Sequence, residues 1–206
     1  FPPGTDPFEI MDRFGAPPLP PYIRRAAEPR DRGRYQTVYA REPGSAAAPT
    51  AGLHFTEELL AACEARGIRI ARVTLHVGIG TFLPMRTETL EEHRMHAEHC
   101  TVPAAALAEV AAAKARGNRV VAVGTTAVRA LESAFRSGAP GEGFSGWTEL
   151  FIRPPFEFKA VDALLTNFHL PRSTLLVLVS AFAGRELVLR AYAHAIEKSF
   201  RFYSYG

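Results

Sequence analysis

From residue 56 onward the apolar positions of the chain switch repeatedly between a helical and an extended period, which predicts helices and strands in alternation. Thr56 has the type and place of a helix cap. Glu57 and Glu58 follow in the first turn, Leu59, Leu60 and Cys63 form an apolar stripe, and Gly67 supplies a stop. A strand is expected over 68–77. Residues 104–116 set Leu107, Val110 and Ala111 on one helical face and end at Gly117-Asn118. The run 119–123 is apolar on both sides, the pattern of a strand in a parallel sheet, and after Gly124 a helix carries Val128, Leu131 and Phe135 to a stop at Gly138. Strands are further expected over 149–153, 163–166 and 200–205, and helices over 173–183 and 185–198. Glycine-rich 138–146 reads as a loop of lid-like composition or a plain connector. Such alternation predicts an α/β fold around a mainly parallel sheet, open or curled into a partial (βα) barrel.

The first 52 residues break this pattern. Pro17-Pro18-Leu19-Pro20-Pro21 is too rigid for a helix, and 24–34 is mostly charged, so 1–52 reads as a connecting arm and 53–206 as the α/β part. With 206 residues and 47% apolar content, the chain can bury a core without a disulfide or metal. Cys63 and Cys100 have no metal-ligand spacing, which points to a reducing compartment. The longest apolar run, 175–183, is too short to span a bilayer, and no leader pattern opens the chain; a cytoplasmic protein with no membrane partner is expected. Of the 24 basic residues all but Lys114, Lys159 and Lys198 are arginine. Its planar fork suits phosphate and base recognition, so the charge permits a nucleic-acid partner without requiring one.

Polar groups that packing does not require interrupt the apolar pattern at a few places. The strand over 163–166 stops in Asn167-Phe168-His169, and Pro171 prevents the ladder from continuing before a cap at Ser173 or Thr174. Asn167 and His169 lie two apart and share one face of an extended backbone; a strand cap and a satisfied core histidine are the plain alternative. Thr74-Leu75-His76-Val77-Gly78-Ile79-Gly80-Thr81 lets the backbone turn sharply and approach a ligand, but Leu83 stands where a dinucleotide fingerprint needs its third glycine. Gly124-Thr125-Thr126 opens a helix directly after a strand, where free N–H groups suit a carboxylate or phosphate; a simple cap is the alternative. His93, His96, Glu98 and His99 form the densest titratable cluster, without the spacing of a zinc peptidase, and a proton-handling role or a solvated polar helix fits it better than a metal. Small residues over 44–52 allow close approach of a flat ligand, or a flexible link, and end at His54.

In combination these segments resemble one family. Tyr35-Gln36-Thr37-Val38-Tyr39, Ala48-Pro49-Thr50-Ala51-Gly52-Leu53-His54-Phe55, Thr74-Leu75-His76-Val77-Gly78, Gly80-Thr81-Phe82, His93-x-Met95-His96-x-Glu98, Gly124-Thr125-Thr126, Leu165-Thr166-Asn167-Phe168-His169-Leu170-Pro171 and Arg201-Phe202-Tyr203-Ser204-Tyr205-Gly206 are similar to the S-adenosylmethionine:tRNA ribosyltransferase-isomerases of queuosine biosynthesis. The resemblance implies an enzyme that moves the ribosyl part of S-adenosylmethionine to tRNA carrying 7-aminomethyl-7-deazaguanine; the incomplete ligand set around His93, His96 and His99 predicts that no metal is needed, and a monomer is expected. It also implies a small β-rich domain largely absent from this chain, with 1–52 as the arm that follows it. Proton movement would fall to His54, His76, His96 and His169, with Glu98 orienting a neighbour. Gly78, Gly80, Thr81, Gly124, Thr125, Thr126 and Asn167 would hold the ribosyl donor, and Arg32, Arg34, Tyr35 and Arg172 would meet the tRNA. A zinc-dependent hydrolase using residues 93–99 and a noncatalytic tRNA-binding module are the rivals.

Overall fold

The protein is described by a computed structural model covering residues 4–82, 84–138, 141–203 and 205. Helices α1 (Pro7–Phe14) and α2 (Asp31–Arg34) precede a 3-10 turn over Thr50–His54, helix α3 (Glu57–Ala65), strand β1 (Thr74–Leu75) and a second 3-10 turn over Ile79–Phe82. Strand β2 (Glu98–Val102), α4 (Ala104–Ala115), β3 (Val121–Val123), α5 (Thr125–Arg136), β4 (Phe144–Thr148), β5 (Ala163–Leu165), α6 (Thr174–Ala183) and α7 (Arg185–Glu197) follow.

Helix starts obey the local chemistry. The Thr56 hydroxyl accepts from the Leu59 N–H at 3.2 Å, and the Ser173 hydroxyl accepts from the Leu176 N–H at the same distance. Helix α5 starts differently, on Gly124 at φ 89, a backbone conformation open to glycine and costly for other residues. Gly143, at φ 84, brings the start of β4 against the start of α4, where a Cβ would lie 2.9 Å from the Ala104 nitrogen.

The sheets are mixed rather than mainly parallel. β1, β2 and β4 form an antiparallel sheet in that order, with Leu75 opposite Cys100 and Cys100 opposite Gly146. Parallel pairing among the described residues is confined to β3 and β5, with Val123 beside Leu165. The expectation of a mainly parallel sheet is corrected on this point: the three-stranded sheet of β1, β2 and β4 is antiparallel, and a connection long enough for a parallel crossover between β2 and β4 permits either direction. β2 overlaps the 93–99 cluster at Glu98 and His99; residues 93–97 before it are not helical, so the polar-helix alternative for this cluster is not realised. Its buried side chains Glu98, Cys100 and Val102 recur every second residue, the period of a strand with one buried face.

Other expected strands are shorter or displaced. Of 68–77 only Thr74–Leu75 joins a ladder; beyond it the Ala46 N–H donates to the Val77 carbonyl at 2.8 Å, and the Val77 N–H donates to the Ser45 hydroxyl at 3.0 Å. The strand expected over 149–153 lies five residues earlier, as β4. The described residues 200–203 and 205 are not in a strand: positive φ at Ser199 and Tyr203 turns the chain so that its rings are used separately. Phe202 stacks on Phe168 at 4.5 Å and Tyr203 on Tyr22 at 4.1 Å. Residues 139 and 140 of the glycine-rich loop expected over 138–146, like Ser204 and Gly206, lie outside the described residues. Helix α3 fully buries none of its residues: of the expected stripe, Leu59 is exposed and Leu60 and Cys63 are half-buried.

The presumed arm is built into the body along much of its length. Asp31 is fully buried, its carboxylate accepting from both terminal nitrogens of Arg25 at 2.6 and 2.8 Å, from the Glu28 N–H at 2.7 Å and from the Tyr205 hydroxyl. Hydrogen bonds from Arg25 foremost hold that carboxyl well below the usual range. Tyr35, Thr37, Ala47, Ala51 and Gly52 are buried as well.

The main core joins Cys100, Val102, Leu107, Val110, Val128, Leu131, Ile152, Val161 and Leu178. Helix α5 lies against both sheets, and it carries charge inward as well as apolar groups: Thr125, Val128, Arg129 and Glu132 are all buried on it. The Glu132 carboxylate accepts from the N–H groups of Lys159, Ala160 and Val161 at 2.9–3.2 Å, fixing the approach to β5. Replacing Glu132 by Ala removes an acceptor from three consecutive N–H groups. Urea unfolding is expected to show a loss of roughly 2–4 kcal/mol, and Glu132→Gln, which keeps one carbonyl oxygen, a smaller one.

Candidate active site

The polar segments singled out in the sequence gather in two groups. The first is built where β3 and β5 end. Gly124 donates its N–H to the Leu165 carbonyl at 2.8 Å, which sets the start of α5 beside the exit of β5. Asn167 Nδ2 donates to the Thr50 hydroxyl at 2.8 Å, and Ala51 lies where a side chain on Gly124 would reach. The segment over 50–54 therefore covers both junctions. His169 follows, with Nε2 3.1 Å from the Thr166 hydroxyl and its backbone N–H donating to the Tyr192 hydroxyl at 2.7 Å. Burial pushes the His169 imidazole down to about 4, so at neutral pH the ring is uncharged and offers a lone pair.

The second group surrounds the turn over 78–81. Glu98 Oε1 accepts from the Gly78 N–H at 3.0 Å, and its other oxygen pairs with Arg129 on α5. A Cβ on Gly80 would sit 2.4 Å from His96 Cδ2, so a larger residue there would push that exposed ring out of its place against the turn. His76 lies at the end of β1, with Gly44 against its ring and His99 6.1 Å away between centroids. Thr81 stands within the 3-10 turn, closed by its N–H to the Gly78 carbonyl at 3.3 Å.

Three connections tie the groups together. Segment 44–54 runs from His76 to Asn167, α5 runs from Gly124 past Arg129, and the Met85 N–H donates to the Arg172 carbonyl at 2.8 Å. His54 ends the 50–54 turn with its side chain exposed. His93 is set apart, edge-on to Phe151 at 5.2 Å in a cleft of about 220 Å³ that Arg94, Glu91 and Arg153 also line. Among the described residues no three His, Cys, Asp or Glu side chains converge as a metal site, so His93, His96 and His99 do not form a ligand set.

The residues expected to meet RNA divide. Tyr35 is buried against Tyr205, with centroids 5.2 Å apart, so in this structure its ring is a packing element rather than a stacking face. Arg32 donates to the carbonyls of Asp12 and Gly15 at 2.6 and 3.0 Å, closing the end of α1. Arg34 is exposed and lines a second cleft of about 220 Å³ with Gln36, Thr37, Leu53, Phe55 and Tyr205, and Arg172 is exposed beside the 170s turn. Sequence reasoning missed Thr50, Tyr192 and above all Arg129. Positions 125, 128, 129 and 132 mark one helical stripe, and that spacing was the available signal for Arg129 and Glu132 as inward-facing charges.

Polar junctions beyond the carboxyl ends of parallel strands, with a helix starting at one of them, are the arrangement of α/β ligand-binding proteins. Over residues 3–206 the chain matches the family described as queuosine biosynthesis protein, and it belongs to that family. It is 64% identical over 198 residues to the S-adenosylmethionine:tRNA ribosyltransferase-isomerase of Anaeromyxobacter dehalogenans, covering 95% of this chain and 56% of that one. Identity to the enzyme of the same name from Aquifex aeolicus is 54% over 203 residues, covering 98% and 59%. The crystal structure of the S-adenosylmethionine tRNA ribosyltransferase of Thermotoga maritima superposes with a TM-score of 0.61 at 48% identity, over 76% of this chain and 49% of that one. The chain thus spans a little over half the length of the curated relatives it matches. No helix among the described residues is long and apolar enough to cross a membrane.

The depressed His169 has a consequence for stability. Its folded-state pKa of about 4 lies below the ordinary 6.5, so protonation favours the unfolded chain. The contribution of the neutral ring is fully present above about pH 6.5 and is lost as pH falls toward 4. Denaturation at pH 7 and pH 4.5 is expected to show a smaller pH-dependent loss in His169→Gln than in the parent; equal losses would contradict the assignment.

Proposed function

We propose that the whole protein transfers and isomerises the ribosyl part of S-adenosylmethionine onto 7-aminomethyl-7-deazaguanine at the wobble position of tRNA. The product is epoxyqueuosine-tRNA, and adenine and methionine are released. The observation that carries this reading is the convergence, in a member of the queuosine biosynthesis family, of the Gly124–Thr126 junction, Asn167 and His169 at the ends of β3 and β5.

Chemistry of this kind needs a base, an acid for the leaving adenine and donors for a carboxylate. In our reading the N-terminal turn of α5 receives the methionine carboxylate, because its amides carry no side-chain cap. The 78–81 turn, with Gly80 against His96, receives the remainder of the donor. His169 is neutral at pH 7 and accepts a proton rather than supplying one. His76, His96 and His54 are the groups left to return protons. Asn167, held by Thr50, is oriented to recognise adenine or the deazaguanine edge. Glu98 has both carboxylate oxygens engaged and serves to orient rather than to abstract. Arg34 and Arg172 are the arginines of the expected set best exposed to tRNA phosphates, and a cytoplasmic monomer without metal completes the proposal.

Labelling tests it directly in the full-length protein with tRNA bearing the deazaguanine. Label in the donor ribose is expected in the RNA, methyl label with free methionine, and adenine in solution. Methyl label in the RNA with ribose left behind would identify a methyltransferase instead. Exhaustive chelation is expected to leave turnover intact; stoichiometric zinc whose removal abolishes it would return the zinc-hydrolase reading.

A further inference from the structure

The charged pair between α5 and β2 is nearly sealed from solvent, with side-chain exposures of 8% for Arg129 and 7% for Glu98. Burying both charges carries a desolvation cost, and two well-packed apolar residues would serve stability as well or better. Arg129 adds to that cost: Nε donates to the Leu150 carbonyl at 3.3 Å, while Nη2 is buried without a hydrogen-bond partner among the described residues. What the pair supplies is direction. A guanidinium and a carboxylate meet in a narrow range of geometries, and the second Glu98 oxygen passes that geometry to the Gly78 N–H. Gly78 opens the turn whose Gly80 presses on His96. Arg129 lies one helical turn after Thr125, on the helix that starts at the Gly124 junction. A single helix thereby fixes both places where the donor is proposed to bind.

We infer that Arg129 is a positioning residue for the ribosyl donor, acting through Glu98 to hold the 78–81 turn at a set distance from the Gly124–Thr126 junction. The inference rests on the proposed function. A nucleoside sulfonium such as S-adenosylmethionine has to span the two sites, so a shift of the turn alters donor binding without touching the RNA surface.

Steady-state kinetics of the full-length parent, Arg129→Lys and Arg129→Gln, with unfolding midpoints measured in parallel, test it. The Gln variant is expected to raise KM for S-adenosylmethionine by roughly 10- to 100-fold, the scale of a small misplacement, with KM for tRNA unchanged. Lys reaches Glu98 but not Leu150 at once, and is expected to restore most of the donor KM. If Arg129→Gln does not fold, the Lys variant decides: a raised donor KM of about threefold at unchanged tRNA KM supports the inference, an unchanged one overturns it. Variants that lose only active protein, in step with their midpoints and at the parent's donor KM, reduce Arg129 to a structural residue. A folded parent that turns over no S-adenosylmethionine overturns the proposed function and this inference with it.

Discussion

A charge carried into a core must find its counter-charge or its hydrogen bonds, and α5 carries two. Glu132 meets that demand with three backbone N–H groups ahead of β5, and Arg129 meets it with Glu98 at the start of β2. Each solution fixes a piece of chain distant in sequence. The approach to the parallel strand pair is set by one, and the Gly78 turn by the other. Both polar groups of the candidate site therefore take their positions from the same helix, whose own start is fixed by Gly124 against the Leu165 carbonyl.

The N-terminal third closes over this arrangement. Buried Asp31 binds Arg25 and Tyr205, the two ends of the chain meet in the Tyr22–Tyr203 stack, and Thr50 reaches across to Asn167. The aromatic residues after α7 act as separate anchors, since positive φ at Ser199 and Tyr203 turns consecutive rings toward different partners. Phe202 settles on Phe168, next to His169, whose backbone N–H is also held by Tyr192. Burial is what keeps His169 neutral.

Helix ends were legible because they are local. Thr56, Ser173 and Gly124 sit where a cap or a positive φ is needed, and α4, α5, α6 and α7 follow the apolar spacing nearly to the residue. The motifs of the site were legible for a related reason: Asn167 after an apolar run, or the closely spaced Gly78 and Gly80, stands out against a pattern that packing alone would produce. The family resemblance drew on those same residues. Strand direction was not legible. A strand of two or three residues, such as β1, β3 or β5, has little period to read, and whether strands pair parallel or antiparallel depends on partners dozens of residues away; β2 was not expected, and the sheet was expected to be mainly parallel.

The sequence by itself determined helices α3 to α7, the caps at Thr56 and Ser173, the two glycine junctions and the inventory of histidines, because each depends on interactions within a few residues; α1 and α2, in the stretch read as an arm, it did not. Only the tertiary structure decided which charges are paired and which side chains are available. Tyr35 and Arg32 are typical RNA-binding residues by type, yet one is buried and the other caps α1; Arg129 is an ordinary helical arginine by type, yet it is buried against Glu98. The physical reason is desolvation: what a polar group does depends on whether water or protein surrounds it, and the surroundings are assembled from segments far apart in the chain.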